Sequence, residues 1–160
     1  NGNTKLLQHL APNGFFLNKC AFSKNGKLAL QFGSLHFNQN IFHFYDVSGT
    51  SAKSLFNVTS AVVHGSSYQD VVSTMQFDQT GSVLYATSWG AGIKSVPTLR
   101  LISLDAEKDV FKLTTEGSMF SGDIAHRGGK TYRLSAAGKA VHANKRGDGG
   151  DFYVFDVTLD

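Results

Sequence analysis

The six histidines, His9, His36, His43, His64, His126 and His142, are the side chains best suited to bind a metal or move a proton. None stands at the H-x-H or H-x-x-x-H spacing that brings two imidazoles to one ion. His43 and His142 fall inside apolar runs and read as packed strand residues; His64 and His126 fall in or beside loops and are candidate binding residues. Trp89-Gly-Ala-Gly92 opens the longest stretch between apolar runs, reaching Pro97, which makes Trp89 a candidate aromatic for a sugar or a partner groove. Arg146-Gly-Asp148 is an integrin-type tripeptide in a glycine-rich segment, so Arg146 and Asp148 are candidate binding residues as well. Gly147-Asp-Gly-Gly-Asp151 could offer oxygens to Ca²⁺ but lacks the alternating acids and closing Glu of a recognised loop. Asn57-Val-Thr59 is a glycosylation sequon, meaningful in a eukaryotic secretory context. There is no G-x-x-x-x-G-K-[ST], no G-x-S-x-G and no Cys-based metal spacing. No catalytic residue is assigned and no cofactor is expected, while a structural or catalytic divalent metal stays open.

The totals narrow the class. The 160 residues suffice for one domain with a real core. A net charge of +3 is too small to argue for nucleic acid, and the basic residues are scattered apart from Lys145-Arg146 and the looser Arg127, Lys130 and Arg133. The single Cys20 excludes an internal disulfide and, inside an apolar run, reads as buried packing. That usage suits a disulfide-free secreted protein, the preferred location, and a cytosolic one alike. No run approaches the 18 apolar residues of a membrane span. The chain starts at Asn1 with neither an initiator Met nor a signal peptide, the pattern of a processed product or of a piece of a longer polypeptide.

The elements that must position these residues are strands. Low charge, 17 Gly, 2 Pro and 13 Phe suit an all-β chain with tight turns. Apolar runs of four to seven residues or so recur from Lys19–Phe22 to Phe152–Val157, separated by Gly and Asn signals. A pattern repeats within them. Phe22-Ser-Lys-Asn-Gly26, Phe77-Asp-Gln-Thr-Gly81 and Leu134-Ser-Ala-Ala-Gly138 each precede a strand-like run, at a spacing of roughly 55 residues. About twenty residues further on, a second run ends in Asp46, Asp105 or Asp156. One residue type at one repeated position points to a turn that accepts backbone N–H groups, not to an acid–base pair. The three glycines are expected in equivalent hairpins, with Phe22, Phe77 and Leu134 buried, as are Phe44, Leu101 or Leu104, and Val154 or Phe155.

Strand, x-x-Gly hairpin, strand, aromatic-rich strand ending in Asp, turn, strand resembles the blade of a β-propeller of the WD40 and seven-bladed lactonase-type (YVTN) superfamily. Cys20-Ala-Phe-Ser-Lys-Asn-Gly26, Met75-Gln-Phe-Asp-Gln-Thr-Gly81 with Ser82-Val-Leu-Tyr-Ala-Thr87, and Tyr153-Val-Phe-Asp-Val157 carry the likeness. It implies three four-stranded antiparallel blades in one repeat domain over 1–160. The approximate repeats are 11–61, 62–117 and 118–160, with 1–10 as a closing strand. Three blades are fewer than a propeller needs, so the missing ones come from a parent chain or an oligomer. Strand Lys5–Leu10 is expected to pair with Phe152–Val157 or, preferably, with another polypeptide. The rival fold is a β-trefoil, which also has three repeats of four strands.

The function expected is non-enzymatic: binding or scaffolding, with a protein or glycan partner, in the manner of an extracellular adhesin. The alternatives are part of a lactonase-type or metal-dependent propeller hydrolase, in which His64 and His126 would face the channel, and a trefoil lectin or actin-binding module. Fold analogy alone carries the functional expectation.

Overall fold

Runs rich in Phe, Leu, Ile and Val, cut by glycine turns, can satisfy their backbone only in ladders, and strands result. The computed structural model describes residues 16–34, 36–64, 69–90, 93, 95–140 and 149–160. Over these the chain is all-β. The first sheet is β1 (Phe16–Phe22), β2 (Lys27–Gly33), β3 (Asn40–Asp46) and β4 (Lys53–Thr59). The middle sheet is β5 (Val72–Phe77), β6 (Val83–Ser88), β7 (Leu99–Ser103) and β8 (Lys108–Leu113). The last is β9 (Met119–Gly128), β10 (Thr131–Lys139) and β11 (Gly150–Thr158). Each is an antiparallel meander in which neighbours in sequence are neighbours in the sheet. Among the described residues no helix is long and apolar enough to cross a membrane.

The first two hairpins follow the sequence signals. Gly26 and Gly81 adopt φ of 79° and 73°, left-handed values that a side chain resists. In the first turn Ser23 Oγ accepts from Lys27 N at 2.8 Å. In the second the Asp78 carboxylate takes the N–H groups of Thr80, Ser82 and Val83. The third hairpin is elsewhere. It turns at Gly129 and Lys130, between β9 and β10, with positive φ at Gly128 and Gly129. Gly138 lies inside β10, opposite Asp151 and Met119. A Cβ there would collide with the Ser118 carbonyl and with Met119, so this glycine serves close approach and not a turn. The strand expected at Ala140–Ala143 is therefore displaced: β10 already ends at Lys139, and 141–143 lie outside the described residues. The closing strand expected at 1–10 also lies outside them.

The sheets stack face on face, and the middle one is covered on both sides. Ala21, Ala29, Phe42 and Phe44 of the first sheet meet Val72, Leu84, Ala86 and Ile102 of the middle one. Alternate residues of the same middle strands, Val83, Tyr85, Leu99 and Leu101, meet Met119, Ile124, Tyr132 and Leu134 of the last sheet. All six residues of β6 are consequently buried. Strand β1 packs beside β5, and β5 beside β9. Tyr85 Oη donates to Ser135 O at 2.9 Å across the second interface.

Several packing expectations are corrected here. Phe22 is 67% exposed, on the β1 face turned away from Ala21 and the core. Cys20 shares that face and is exposed, not buried. Phe77 is half-buried against the first core and Leu134 fully buried, while Val154 is exposed and Phe155 half-buried. Truncation should separate these positions. Phe44→Ala, stacked on Phe56 at 4.4 Å between centroids, is expected to cost roughly 3–5 kcal/mol in urea unfolding. Phe22→Ala is expected to stay within about 0.5 kcal/mol. Equal losses would contradict the packing described.

Candidate functional site

The alternation of β7 sends Leu99 and Leu101 to the last sheet and Arg100 and Ile102 to the first. Arg100 thus enters an apolar interface as a cation, where its charge needs partners. Its guanidinium lies 5.3 Å from the centroid of Phe42. Its one side-chain hydrogen bond among the described residues runs from Nη1 to Asp109 Oδ2, at a long 3.5 Å. The side chain is only 5% exposed.

Asp109 owes its position to an irregularity. Along β8 the register slips so that Phe111 faces Leu101 and Asp109 faces Ile102, leaving Val110 unmatched. A regular strand would send residues 109 and 112 to opposite faces; the bulge brings both to one. Lys112 Nζ lies 3.4 Å from Asp109 Oδ2. Two cations therefore converge on one carboxylate oxygen, while Oδ1 is buried and has no hydrogen-bond partner among the described residues.

These groups line a cleft of about 360 Å³. Its lining also includes the segment after β4, with Val62, Val63 and His64, and the segment before β7, with Val96 and Pro97. Asp70 lines it too. It ends a buried polar chain that crosses the first sheet: Asn18 Nδ2 donates to Gln31 Oε1, Gln31 Nε2 to Asn40 Oδ1, and Asn40 Nδ2 to Asp70 Oδ2, at 3.0, 2.8 and 2.7 Å. Gly90 N adds a bond to Oδ1 at 3.3 Å. Burial lifts the Asp70 carboxyl above its ordinary value, against the pull of Arg100 and the donors on Ser88, Gly90 and Asn40.

The candidates read from the sequence are dispersed. His64 lines the cleft and is exposed. Trp89 is half-buried and is not among the residues of the cleft wall; its N–H bonds Val71 O and its carbonyl accepts from Ser118 Oγ. His126, on β9, packs on Tyr132 at 5.3 Å, and its Nε2 lies 2.9 Å from Gly129 O, so its ring is part of the third hairpin. Arg146 and Asp148 lie outside the described residues. Of the repeated aspartates only Asp46 acts as a turn device, accepting from Ser48 N and Oγ and pairing with Lys27. Asp105 accepts no such bonds among the described residues, and Asp156 pairs with Arg133 within its sheet. Among the described residues no group of three or more His, Cys, Asp or Glu is placed to hold a metal. Arg100, Asp109 and Asp70 escaped the sequence reading; the one signal was a lone arginine in the apolar run Leu99-Arg-Leu-Ile102. No protein-family model matches the chain, and no characterised protein matches it in sequence.

Because the Asp70 carboxyl is raised, ionising it is harder in the folded chain than in the unfolded one. Its contribution to stability is complete below the ordinary value of 3.8 and declines as pH rises through the raised native value. Asp70→Asn removes that titration. Wild-type stability relative to the variant should therefore fall with rising pH across this window in urea unfolding. A difference independent of pH would contradict the assignment.

Proposed function

We propose that this chain is a non-enzymatic binding module, built as three consecutive blades of a β-propeller, with the cleft between its first two sheets as the ligand site. The observation that carries the binding reading is the incomplete pairing of Arg100 and Asp109. A buried guanidinium with one long hydrogen bond and a buried carboxylate oxygen with none are costly in a closed core. Both residues line an open cleft, which places a strained ion pair beside space that a ligand can fill. Apolar walls with a few convergent polar groups are the usual composition of a recognition site.

The blade reading rests on three meanders whose first strands β1, β5 and β9 succeed one another in space. Each sheet is hydrogen-bonded within itself, in contrast to the shared barrel of a trefoil. Phe152 and Val154, 70% and 54% exposed on the outer face of the last sheet, suit a surface against which a further blade packs.

Two measurements test the proposal. Light scattering on the 160-residue chain should find self-association through the outer faces; a cooperatively folding monomer would overturn the three-blade reading. Arrays of immobilised glycans and peptides should retain the wild-type chain, and Arg100→Met should lose about tenfold or more of that affinity. Wild-type chain retained by neither array, or undiminished binding by the variant, would overturn the assignment of the cleft.

A further inference from the structure

The outer faces of the first and last sheets repeat the two halves of the interface between the first and middle sheets. From this we infer that they bind one another between chains. The first sheet of one copy seats on the last sheet of a second, head to tail, and two copies close a ring of six sheets. The inference rests on the three-blade reading and names the partner that the outer faces take.

The ladders match the outer face of the first sheet to the middle sheet. Phe22 pairs with Leu28 as Phe77 pairs with Leu84, and Cys20 with Leu30 as Met75 with Ala86. Leu28 then meets Tyr45 as Leu84 meets Ile102. The bulge recurs as well, after Leu17 in β1 and after Val72 in β5. In the middle sheet Val72, Met75, Phe77, Leu84, Ala86 and Ile102 all pack in the core shared with the first sheet. Their counterparts in the first sheet lie on its other side. Leu28, Leu30 and Tyr45 join a separate apolar cluster with Phe32 and Ile41. Leu17 and Phe22 are 55% and 67% exposed, and Cys20 is exposed with them. A face that fills an interface in one sheet is thus open along β1 in the other.

The last sheet supplies the other half. Arg133 and Asp156 pair across β10 and β11 as Lys27 and Asp46 pair across β2 and β3. Two residues in from each ion pair, Ser135 faces Val154 where Ala29 faces Phe44. Two residues further, Ala137 faces Phe152 where Gln31 faces Phe42. Ala29, Phe42 and Phe44 pack on the middle sheet, whereas Phe152 and Val154 are 70% and 54% exposed. The match ends at β9, where Asp123 takes the place of Ala21 and accepts from Gln76 Nε2 at 2.6 Å.

The existing interface names the contacts. Phe77 meets Phe44 edge-on, 6.5 Å between centroids, so Phe22 of one copy meets Val154 of the next. Arg100 lies over Phe42. His43 pairs with Leu30 as Arg100 pairs with Ala86, so His43 meets Phe152 of the next copy. Contacts between unlike faces either close into a ring or run on as a filament. Two copies bring six sheets, within the roughly four to eight of closed propellers, and leave neither face open.

The test is the mass of the 160-residue chain by light scattering over a dilution series, for wild type, Phe22→Asp and Val154→Asp. Wild type should show twice the chain mass and come apart on dilution. Each substitution spoils one face, and both contacts of the ring use that face. Each variant alone should therefore associate about tenfold more weakly or worse. Mixed in equal amounts, the two variants retain one intact contact, and the mixture should regain mass that neither shows alone. Leu17→Asp and Phe152→Asp serve if the first pair does not fold. Cys20, the one cysteine, lies on the face of Phe22 and gives a second readout. Its reaction with a disulfide reagent should be slow where wild type is paired, and Val154→Asp, on the last sheet, should restore it. In dilute urea unfolding the copies are apart, so the small cost expected of Phe22→Ala is unchanged. Wild type that stays single at every concentration would overturn this pairing and the three-blade reading together. Pairing that survives either substitution, a mixture that behaves as its parts, or mass that grows beyond two chains would overturn the head-to-tail ring and leave the three-blade reading standing.

Discussion

The inner strands of the middle sheet, β6 and β7, have no solvent face, and most of the architecture follows from that one constraint. Strands β6 and β7 must be apolar on both sides, so the periodicity of two that marks an ordinary antiparallel strand vanishes and Val83–Ser88 is buried throughout. Neighbouring sheets must each bring a matching face. The first supplies Phe42 and Phe44 and the last supplies Met119 and Leu134, and neither core exists without the sheet between them. A polar residue on β7 then has nowhere to go except into an interface. Arg100 is that residue, and the cleft, the Asp109 bulge and the approach of Asp70 are arrangements around its charge.

A second consequence concerns the polar chain of Asn18, Gln31, Asn40 and Asp70. Each member is bonded to the next across β1, β2, β3 and the segment leading into β5. Asn18 also bonds the Val72 carbonyl at 3.0 Å. Apolar contacts would hold the first two sheets together at many relative offsets. This chain of directional bonds is satisfied at one of them. It fixes the sheets where the walls of the cleft meet, so the shape of the site is set by residues that do not line it, apart from Asp70.

How much of this the sequence disclosed differs from part to part for physical reasons. Turn chemistry is local, so Gly26 and Gly81 announced their hairpins correctly. Glycine has two uses, however, and the sequence does not distinguish them. Gly138 was read as a turn because it followed an apolar residue at the familiar spacing, whereas it gives β10 room beside Ser118 and Met119. Strand β9 went unread because Phe120-Ser-Gly-Asp123 carries no apolar alternation; its core contacts come from Met119 and Ile124. Phe22 looked like core by type, but its face of β1 turns outward. The site was the least legible part. Arg100 and Asp109 share no motif, and what joins them is a bulge that no spacing rule foretells. His64 was found for being a loop histidine, and the cleft it borders was not.

The tips of the first two hairpins touch. Asn25 Nδ2 donates to the Thr80 carbonyl at 3.0 Å, and a side chain placed on Gly81 would run into Asn25. Gly81 is thus constrained twice, by its own backbone angle and by its neighbour's side chain. The two turns form one structural unit. A length change in either would have to be answered in the other, and the third hairpin is not independent of them: a Cβ added to Gly128 or Gly129 would meet nothing, but His126 N at its base donates to Gln79 Oε1 of the second turn at 2.8 Å.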